Sequence, residues 1–589
     1  MVLPTSPPNS MSVGSNIYPE FGIPALTTKY ISRDLFPLVG GTASTLCYLG
    51  ASFSGKSAVS TYKKSAYFFN PTLNPSHLYT SITCDSVGTI YAGGYYSQAS
   101  AVSNAAVNPS GTAGTVAAGV GTPTVISKWD SNGIFKGSAI IAGLTSQVVQ
   151  CTDVKCDSLN NVYLTLYNGS AIALRISSFA LNAVTTTTPT GTTPASASAV
   201  VAKWNSSGTY QGAAVVTSAF NSRAYSVNFD GSNNIYVYGI TGGTSGASQT
   251  ITSFAVNPTT ATTPTGTLPG SSYYVAKWTS AGSYVSSAVI INISPSTGDF
   301  GTVTINSSGD IYVNGYYTAT VNPIVTSFAV SPTSSSTPTG THPIPLVSSR
   351  TPFIARWNST GTYISSTIIT SDVSNEGATS AGMAVDSSGN IYMCGFYNLN
   401  NSGITGTGTA AYTVSSFALN PTTGTTPTGT LPATATSFTT GYVSKWSSTG
   451  TYLGSAIMKN LQSRFSGVAC KGTDVYVVGY YNAFTGSGAI VTNFGINPSV
   501  TGATFTDNPT TGSGLVIGWN SSGTYLQCAK LLGSVNTQRI RLLQTSNIAV
   551  TYSRIGTLNI TNFGTNPTAT AGTVPASGGA HGAFSYWSV

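Results

Sequence analysis

The sequence predicts an all-β protein: a single seven-bladed β-propeller of four-stranded blades, preceded by an irregular N-terminal arm. One unit recurs seven times along the 589 residues, and each copy alternates β-branched and aromatic residues between turn motifs. No stretch has helical periodicity. Four short strands per unit, with no amphipathic helix to cover a sheet, favour radial repetition around an axis. We therefore assign residues 1–58 to the arm and residues 59–589 to the propeller.

The first repeated motif is an aliphatic pair, a basic residue and a tryptophan, followed by a turn and an aromatic residue. It reads V-A-K-W-N-S-S-G-T-Y around Trp204 and I-A-R-W-N-S-T-G-T-Y around Trp357. All 7 tryptophans belong to this series: Trp129, Trp204, Trp278, Trp357, Trp446, Trp519 and Trp587. One large apolar side chain per copy is what packing between neighbouring sheets requires. We expect these rings to be buried between adjacent blades.

Two further motifs complete the unit. One is a turn followed by an aromatic strand, as in D-S-S-G-N-I-Y from Asp386. The other, S-F-A-V-N-P and its relatives, places a phenylalanine in register in every copy except the first. Gly or Asn in the turns supplies the positive φ that a tight hairpin needs. The predicted order is strand A, the D-x-x-G-N turn, strand B, strand C with the tryptophan, a second turn and strand D.

The two ends of the chain predict closure by strand exchange. The last copy ends at Trp587-Ser588-Val589, at the end of its strand C, and has no strand D after it. Residues 60–66 (S-T-Y-K-K-S-A) match the strand D segment 208–214 (G-T-Y-Q-G-A-A). The N-terminal segment can therefore supply the missing strand and remove an open sheet edge. An open β-solenoid is the alternative, but it would need shorter coils and capping repeats.

These motifs resemble the bacterial seven-bladed β-propeller repeat family, whose units combine a D-x-x-G-N-x-Y-V turn with a V-A-K-x-x-x-x-G segment. The resemblance covers roughly residues 59–589. In this chain, tryptophan replaces the usual aliphatic residue after the lysine, and the connection between strands B and C is longer. The resemblance implies the fold and does not fix one function.

The composition excludes several classes of function. Charged residues make up 6% of the chain, with Lys+Arg 22 and Asp+Glu 14, against about 25% in ordinary domains. The positive charges are too sparse to follow a phosphate backbone, so we expect no nucleic-acid binding. No apolar run approaches the roughly 20 residues of a membrane span, and the start shows no classical secretory signal. The scattered cysteines contain no C-x-x-C pair, so neither a zinc site nor a redox motif is predicted.

The few residues with side chains suited to catalysis, and their positions in turns, predict a protein that is not an enzyme. Four aspartates, Asp85, Asp157, Asp230 and Asp386, hold one repeated turn position, where a carboxylate accepts hydrogen bonds from the following N–H groups. Calcium ligation is the alternative, but no copy has the clustered acidic pattern of a calcium loop. No copy gains a histidine, a glutamate and a nucleophile together. We predict no catalytic residue, no metal ion and no cofactor.

The two faces of the predicted propeller differ. The A–B and C–D turns are short and repetitive, whereas the B–C and D–A connections on the other face are long and varied. Variable loops on a regular scaffold are typical of a binding surface. The candidate binding residues in the D–A connections are His77, Arg223, Asp299, Glu376, Arg464 and Arg539. The alternative is that they are ordinary solvated loop residues.

The basic residue before the tryptophan in five copies has a structural interpretation. It occupies an exposed strand position, where its stem covers an aromatic neighbour and its charge can make a cation–π contact. We favour this over a ligand site. The residues concerned are Lys128, Lys203, Lys277, Arg356 and Lys445.

Few charges and abundant Ser, Thr, Gly and Asn are typical of an outward-facing protein. We predict a structural or binding component of a virion, capsid-associated or at its surface. The arm and the loop-rich face would contact other protein subunits, and the face could also contact host glycans. The alternative is a cellular extracellular adhesin or lectin-like carbohydrate-binding module. An enzyme acting on polysaccharide is disfavoured, because it needs paired carboxylates and the acids here are in turns.

Overall fold

The computed structural model describes residues 60–69, 78–119, 121–143, 147–169, 172–188, 190–195, 197–217, 222–242, 247–294, 301–346, 349–374, 376–400, 411–433, 439–460, 462–482, 489–505, 512–543, 547–575 and 581–588. The described residues from Tyr62 to Ser588 belong to one compact unit. The predicted arm, residues 1–58, lies outside the described residues. None of the described residues forms a helix that is long and apolar enough to span a membrane.

The described residues form 42 strands. The first fifteen are β1 (Thr61–Phe69), β2 (Leu78–Cys84), β3 (Ile90–Tyr95), β4 (Ser100–Val102), β5 (Gly114–Val116), β6 (Gly121–Thr122), β7 (Thr124–Trp129), β8 (Phe135–Gly143), β9 (Gln147–Cys156), β10 (Val162–Asn168), β11 (Leu174–Ile176), β12 (Asn182–Ala183), β13 (Gly191–Thr192), β14 (Ala197–Trp204) and β15 (Tyr210–Thr217). The next fourteen are β16 (Arg223–Phe229), β17 (Ile235–Thr241), β18 (Ser248–Ile251), β19 (Gly266–Pro269), β20 (Ser272–Trp278), β21 (Tyr284–Ile291), β22 (Val303–Ile305), β23 (Ile311–Tyr317), β24 (Ile324–Val325), β25 (Gly340–Thr341), β26 (Thr351–Trp357), β27 (Tyr363–Ser371), β28 (Glu376–Val385) and β29 (Ile391–Asn400). The last thirteen are β30 (Tyr412–Val414), β31 (Gly429–Leu431), β32 (Thr440–Trp446), β33 (Tyr452–Lys459), β34 (Gln462–Lys471), β35 (Asp474–Asn482), β36 (Ala489–Thr492), β37 (Thr501–Phe505), β38 (Ser513–Trp519), β39 (Tyr525–Leu543), β40 (Asn547–Thr561), β41 (Thr570–Val574) and β42 (His581–Ser588).

Each repeat unit forms four antiparallel strands in the order A, B, C and D. In the first unit, β2 pairs with β3, β3 with β7 and β7 with β8. The next five units repeat this order as β9-β10-β14-β15, β16-β17-β20-β21, β22-β23-β26-β27, β28-β29-β32-β33 and β34-β35-β38-β39. In the seventh unit, β39 continues as strand A, β40 follows as strand B, and β42 is hydrogen-bonded to both β40 and β1. The predicted all-β class is confirmed.

The turn between strands A and B forms for local reasons. In the third unit, Asp230 Oδ1 accepts hydrogen bonds from the N–H groups of Ser232 and Asn234, both at 2.9 Å. Asn233 between them has a φ of 57°, in the left-handed region that asparagine and glycine tolerate best. The side chain and the backbone therefore specify the same hairpin.

The B–C connections are more ordered than the sequence predicted. In the second unit, β11 pairs with β8 of the first unit, and β13 pairs with β11. The strand pairs β4–β5, β18–β19, β24–β25, β30–β31 and β36–β37 are added in the same way to β1, β15, β21, β27 and β33. The loop prediction was therefore wrong for these short strands, because each pair finds its strand partner in the preceding unit. Residues between the paired strands, such as Val256 and Val330, are exposed.

The core lies between consecutive units. Trp204 of the second unit belongs to one buried cluster with Tyr91, Ile126 and Ile141 of the first, and Trp129 of the first packs in a cluster with Phe584 of the seventh. The A strands also touch in sequence, through the contacts β2–β9, β9–β16, β16–β22, β22–β28, β28–β34 and β34–β39. Finally, β2 contacts β39 and β40 of the seventh unit.

Candidate binding face

The seven predicted tryptophans are packing residues, with 0 or 1% of their surface exposed. Trp204 lies edge-on to the rings of Phe179 and Tyr210, with both centroids at 6.0 Å. Every indole Nε1 donates a hydrogen bond of 2.7–2.9 Å to a main-chain carbonyl, in chain order those of Ser103, Ser177, Thr252, Thr326, Ser415, Thr492 and Thr561. With no exposed face and its only donor satisfied, each ring stabilises the fold rather than a ligand.

The A–B and C–D turns define what we call the turn end of the strands. There Asp157 Oδ1 accepts hydrogen bonds from the N–H groups of Leu159 at 3.0 Å and Asn161 at 2.8 Å. Its Oδ2 accepts the hydroxyl hydrogen of Tyr163 at 3.2 Å. The carboxylate thus holds the turn and the following strand, as the sequence predicted for this position.

Basic residues at the turn end also have internal partners. Lys203 Nζ lies 5.2 Å from the centre of the Tyr163 ring and donates to the carbonyl of Ser280 in the next unit at 3.4 Å. Burial lowers the pKa of Lys203, and the nearby Asp157 opposes that shift. The same stacking joins Lys128 to Tyr91, Lys277 to Tyr236, Arg356 to Tyr312 and Lys445 to Tyr392.

The opposite end, where strands A and C begin and strands B and D finish, is the loop end. Arg223 is the first residue of β16, and its guanidinium carbon lies 4.1 Å from the centre of the Tyr167 ring near the end of β10. Near the start of β34, Arg464 lies 4.8 Å from the Phe396 ring and 5.8 Å from the Tyr480 ring. Both guanidinium groups therefore contact aromatic residues in the second half of a strand B.

A third arginine repeats the arrangement. Arg350, directly before β26, lies 5.3 Å from the centre of the Tyr316 ring and donates to its hydroxyl at 3.5 Å. Within the described part of the chain, no carboxylate forms an ion pair with Arg223, Arg350 or Arg464. At the turn end, by contrast, Arg356 pairs with Asp310 at 2.6 Å.

The other predicted binding residues have different positions. His77 and Asp299 lie outside the described residues. Arg539 is paired with Thr551 in the β39–β40 ladder, and its side chain also lies outside the described part. Glu376 begins β28 and is only 3% exposed. It is a buried strand residue and not a solvated loop residue, because β28 extends further into the D–A connection than the turn motif indicates.

Sequence reasoning missed Arg350 and all the aromatic partners. A signal for the partners does exist, since an aromatic residue stands four positions after the repeated tyrosine of strand B in several copies, including Tyr167, Tyr316, Phe396 and Tyr480. This aromatic residue alone does not predict a binding position, because the arginine that contacts it comes from another strand or unit. Among the described side chains, no group of three or more His, Cys, Asp or Glu residues is placed to hold a metal ion.

Comparisons with known proteins give no family. No family model matches the chain, and no curated protein matches it. A solved protein of unknown function from Bacteroides caccae is 8% identical, with a TM-score of 0.24, over 58% of this chain and 91% of that one. A protein of unknown function from Dyadobacter fermentans is 10% identical, with a TM-score of 0.28, over 76% and 99% of the two chains. A GH43_12 protein from a capybara gut metagenome is 10% identical, with a TM-score of 0.20, over 90% and 99%. Neither fold nor function is inferred from likenesses of this size.

Proposed function

We propose that the chain is a closed seven-bladed β-propeller of the repeat family that its motifs resemble, and that it acts as a non-enzymatic binding scaffold. A contact repeated in all units supports closure. The N–H of Tyr210, which begins strand D of the second unit, donates to Ser178 Oγ at 3.0 Å. In the seventh unit the donor is Tyr62 of β1, whose N–H donates to Asn562 Oδ1 at 2.7 Å. Its ring lies edge-on to Trp587 at 6.0 Å, so β1 has the contacts of a strand D.

Hydrogen bonds between outer strands support the same proposal. Thr192 of the second unit donates from its N–H and its hydroxyl to Asn257 Oδ1 of the third, at 2.9 and 3.2 Å. Thr573 of the seventh unit makes the same pair of bonds to Asn108 of the first, at 2.8 and 3.1 Å. An open solenoid would leave its first and last units without such a link.

Two truncations test closure. Deleting residues 1–70 removes β1 and exposes one edge of β42, so we expect aggregation or a large fall in the melting temperature. Deleting residues 1–59 keeps β1 and is the matched control, for which we expect a monomer of nearly unchanged melting temperature. A 71–589 fragment that stays monomeric with an unchanged melting temperature would contradict closure by strand exchange.

We further propose that the loop end is the binding surface of an exterior structural protein, a capsid-associated or surface component of a virion. The observation that carries this is the set of arginines that have no carboxylate partner among the described residues, Arg223, Arg350 and Arg464, at the end of the strands that carries the varied D–A connections. The non-enzymatic role is supported by the scarcity of His and Glu in the sequence.

A cellular adhesin or lectin-like module is the second candidate, because guanidinium groups stacked on aromatic rings suit ligand recognition wherever the protein resides. The discriminating experiment is quantitative mass spectrometry of particles and cell-surface fractions purified from the native source. Many copies per particle are expected for a virion component. Recovery from the cell surface alone would favour the adhesin, and absence from both fractions would contradict an exterior role.

A further inference from the structure

We infer that the loop end binds glycans that carry carboxylate groups, with Arg223 and Arg464 as the anchoring residues. This inference rests on the proposed binding role of the loop end and names its ligand class. Its structural basis is the same at both positions: a guanidinium group over an aromatic ring, with its carbon 4.1 Å (Arg223) or 4.8 Å (Arg464) from the ring centre, and with no acidic partner among the described residues.

The ring contact leaves the hydrogen-bonding capacity of the guanidinium group for another partner. The guanidinium carbon of Arg223 lies 4.1 Å from the centre of the Tyr167 ring, and an aromatic ring attracts a cation without accepting hydrogen bonds from its donors in the way a carboxylate does. The N–H donors of a guanidinium group form a planar fork that matches the two oxygens of a carboxylate. Stacking also restricts the side chain before binding, which lowers the entropy cost of ordering it.

Arg464 is oriented by two rings instead of one. Phe396 belongs to β29 of the fifth unit and Tyr480 to β35 of the sixth, so the guanidinium group lies where two units meet. Arg223 also joins two units, because β16 and β10 pair through Arg223 and Tyr167. Both arginines are therefore positioned by the main framework of strands.

The electrostatics favour an anionic ligand. Burial raises the pKa of Tyr480, and the charge of Arg464 opposes that shift, so the neutral phenol leaves the positive charge uncompensated. The Nε groups of Arg223 and Arg464 are buried and donate to no acceptor in the described part of the chain. An incoming carboxylate would meet a positive charge that this part of the protein does not neutralise.

The distribution of the arginines over the units favours an acidic glycan over a nucleic acid. Arg223 and Arg464 belong to the third and sixth units, and Arg350 precedes a strand of the fourth, so each of the three charges belongs to a different unit. A nucleic acid presents a phosphate at every nucleotide and binds through many neighbouring cations. A polyuronate can place individual carboxylates on separate sites, and its affinity then comes from several weak contacts on one chain.

The test measures binding of the full chain to polygalacturonate by isothermal titration calorimetry. The variants are Arg223→Gln, Arg464→Gln and the double variant. Lys277→Gln is the matched control, since it removes one charge and one cation–π contact at the turn end, where Lys277 Nζ lies 5.1 Å from the Tyr236 ring. Each arginine variant should weaken binding about tenfold or more, as expected for a charge-assisted hydrogen bond. The double variant should bind undetectably, and the control should bind like the wild type.

Several results would overturn the inference. These are unchanged binding by the double variant, an equal loss in Lys277→Gln, and equal binding of methyl-esterified polygalacturonate, which lacks the carboxylates. Tighter, arginine-dependent binding of single-stranded DNA would replace the glycan with a polyphosphate ligand. Thermal melting of each variant separates lost binding from lost folding. If polygalacturonate fails to bind but the protein is abundant in native particles, this inference fails while the proposed exterior role remains.

Discussion

The charged side chains at the two ends of the strands have different kinds of partner. At the turn end, Asp157 is held by N–H groups and a tyrosine hydroxyl, and Arg356 pairs with Asp310. At the loop end, Arg223 and Arg464 stack on aromatic rings and have no acidic partner among the described residues. Charges that recur in most copies thus have hydrogen-bonding or ionic partners in the protein, whereas Arg223 and Arg464, which occupy one strand A position that is charged in few copies, have aromatic neighbours instead. The comparison teaches that the partner of a charge, more than its exposure, distinguishes the two ends of the strands.

The largest effect should come from the repeated core. Trp278→Ala removes a buried ring that lies 6.0 Å from Phe254 and whose Nε1 donates to Thr252. We expect the free energy of unfolding to fall by about 3–5 kcal/mol in urea denaturation. Arg223→Gln at the loop end should cost less than about 1 kcal/mol. Equal losses of unfolding free energy in the two variants would show that Arg223 stabilises the fold as much as a buried tryptophan does. The distinction between structural residues and loop-end arginines would then be wrong.

An intermediate effect is expected at the turn carboxylate. Asp157→Ala leaves the N–H groups of Leu159 and Asn161 without their acceptor, and we expect a loss of about 1–3 kcal/mol by the same measurement. Asp157→Asn should cost less, because Asn306 holds the equivalent turn of the fourth unit through its own Oδ1. A larger loss in the asparagine variant would mean that the negative charge, and not the acceptor, is what the turn end requires.

His342 tests whether an ionisable group without a partner is tolerated away from the loop end. It is fully buried against Tyr317 and Phe353, and neither ring nitrogen has a hydrogen-bond partner in the described part of the chain. Leu268 and Leu431 occupy its position in other copies. His342→Leu should therefore stabilise the protein by about 1–2 kcal/mol at neutral pH.

The pH dependence of stability has a definite sign at this residue. Burial lowers the pKa of His342 to about 3, while in the unfolded chain it is about 6.5. Between these pH values, His342 binds more protons in the unfolded state than in the folded state. Protonation of His342 therefore leaves the free energy of unfolding unchanged above about pH 6.5 and lowers it progressively as the pH falls toward 3. Denaturant titrations at several pH values should show a shallower acid dependence in His342→Leu. An unchanged dependence would mean that the imidazole is not buried in its neutral form.

The smallest effect should be that of the turn-end lysines. Lys277→Gln removes one cation–π contact with Tyr236 at a partly exposed position. We expect a loss below about 1 kcal/mol in thermal or urea unfolding. A loss as large as that of Asp157→Ala would indicate that the lysines, and not only the carboxylates, hold the turn end together.

The strands within the B–C connections were not predicted from the sequence. Their S-F-A-x-N-P segments are rich in Pro, Ser and Thr, a composition that favours turns and loops over strands. In the structure, β11 and β13 of the second unit nevertheless join the sheet of the first. Strand formation there depends on a free edge at β8, which belongs to another unit and has no local signature.

The sequence by itself determined the all-β class, the four-strand unit and the burial of the tryptophans, because hydrophobic alternation and turn residues act within a few positions and recur in each copy. Only the tertiary structure decided which arginines meet which rings, and that Glu376 is buried in a strand and not exposed in a loop. Arg223 and Tyr167 come from different units, and Arg464 bridges two more. Such contacts depend on how neighbouring sheets pack, and no periodicity along a single unit encodes that packing.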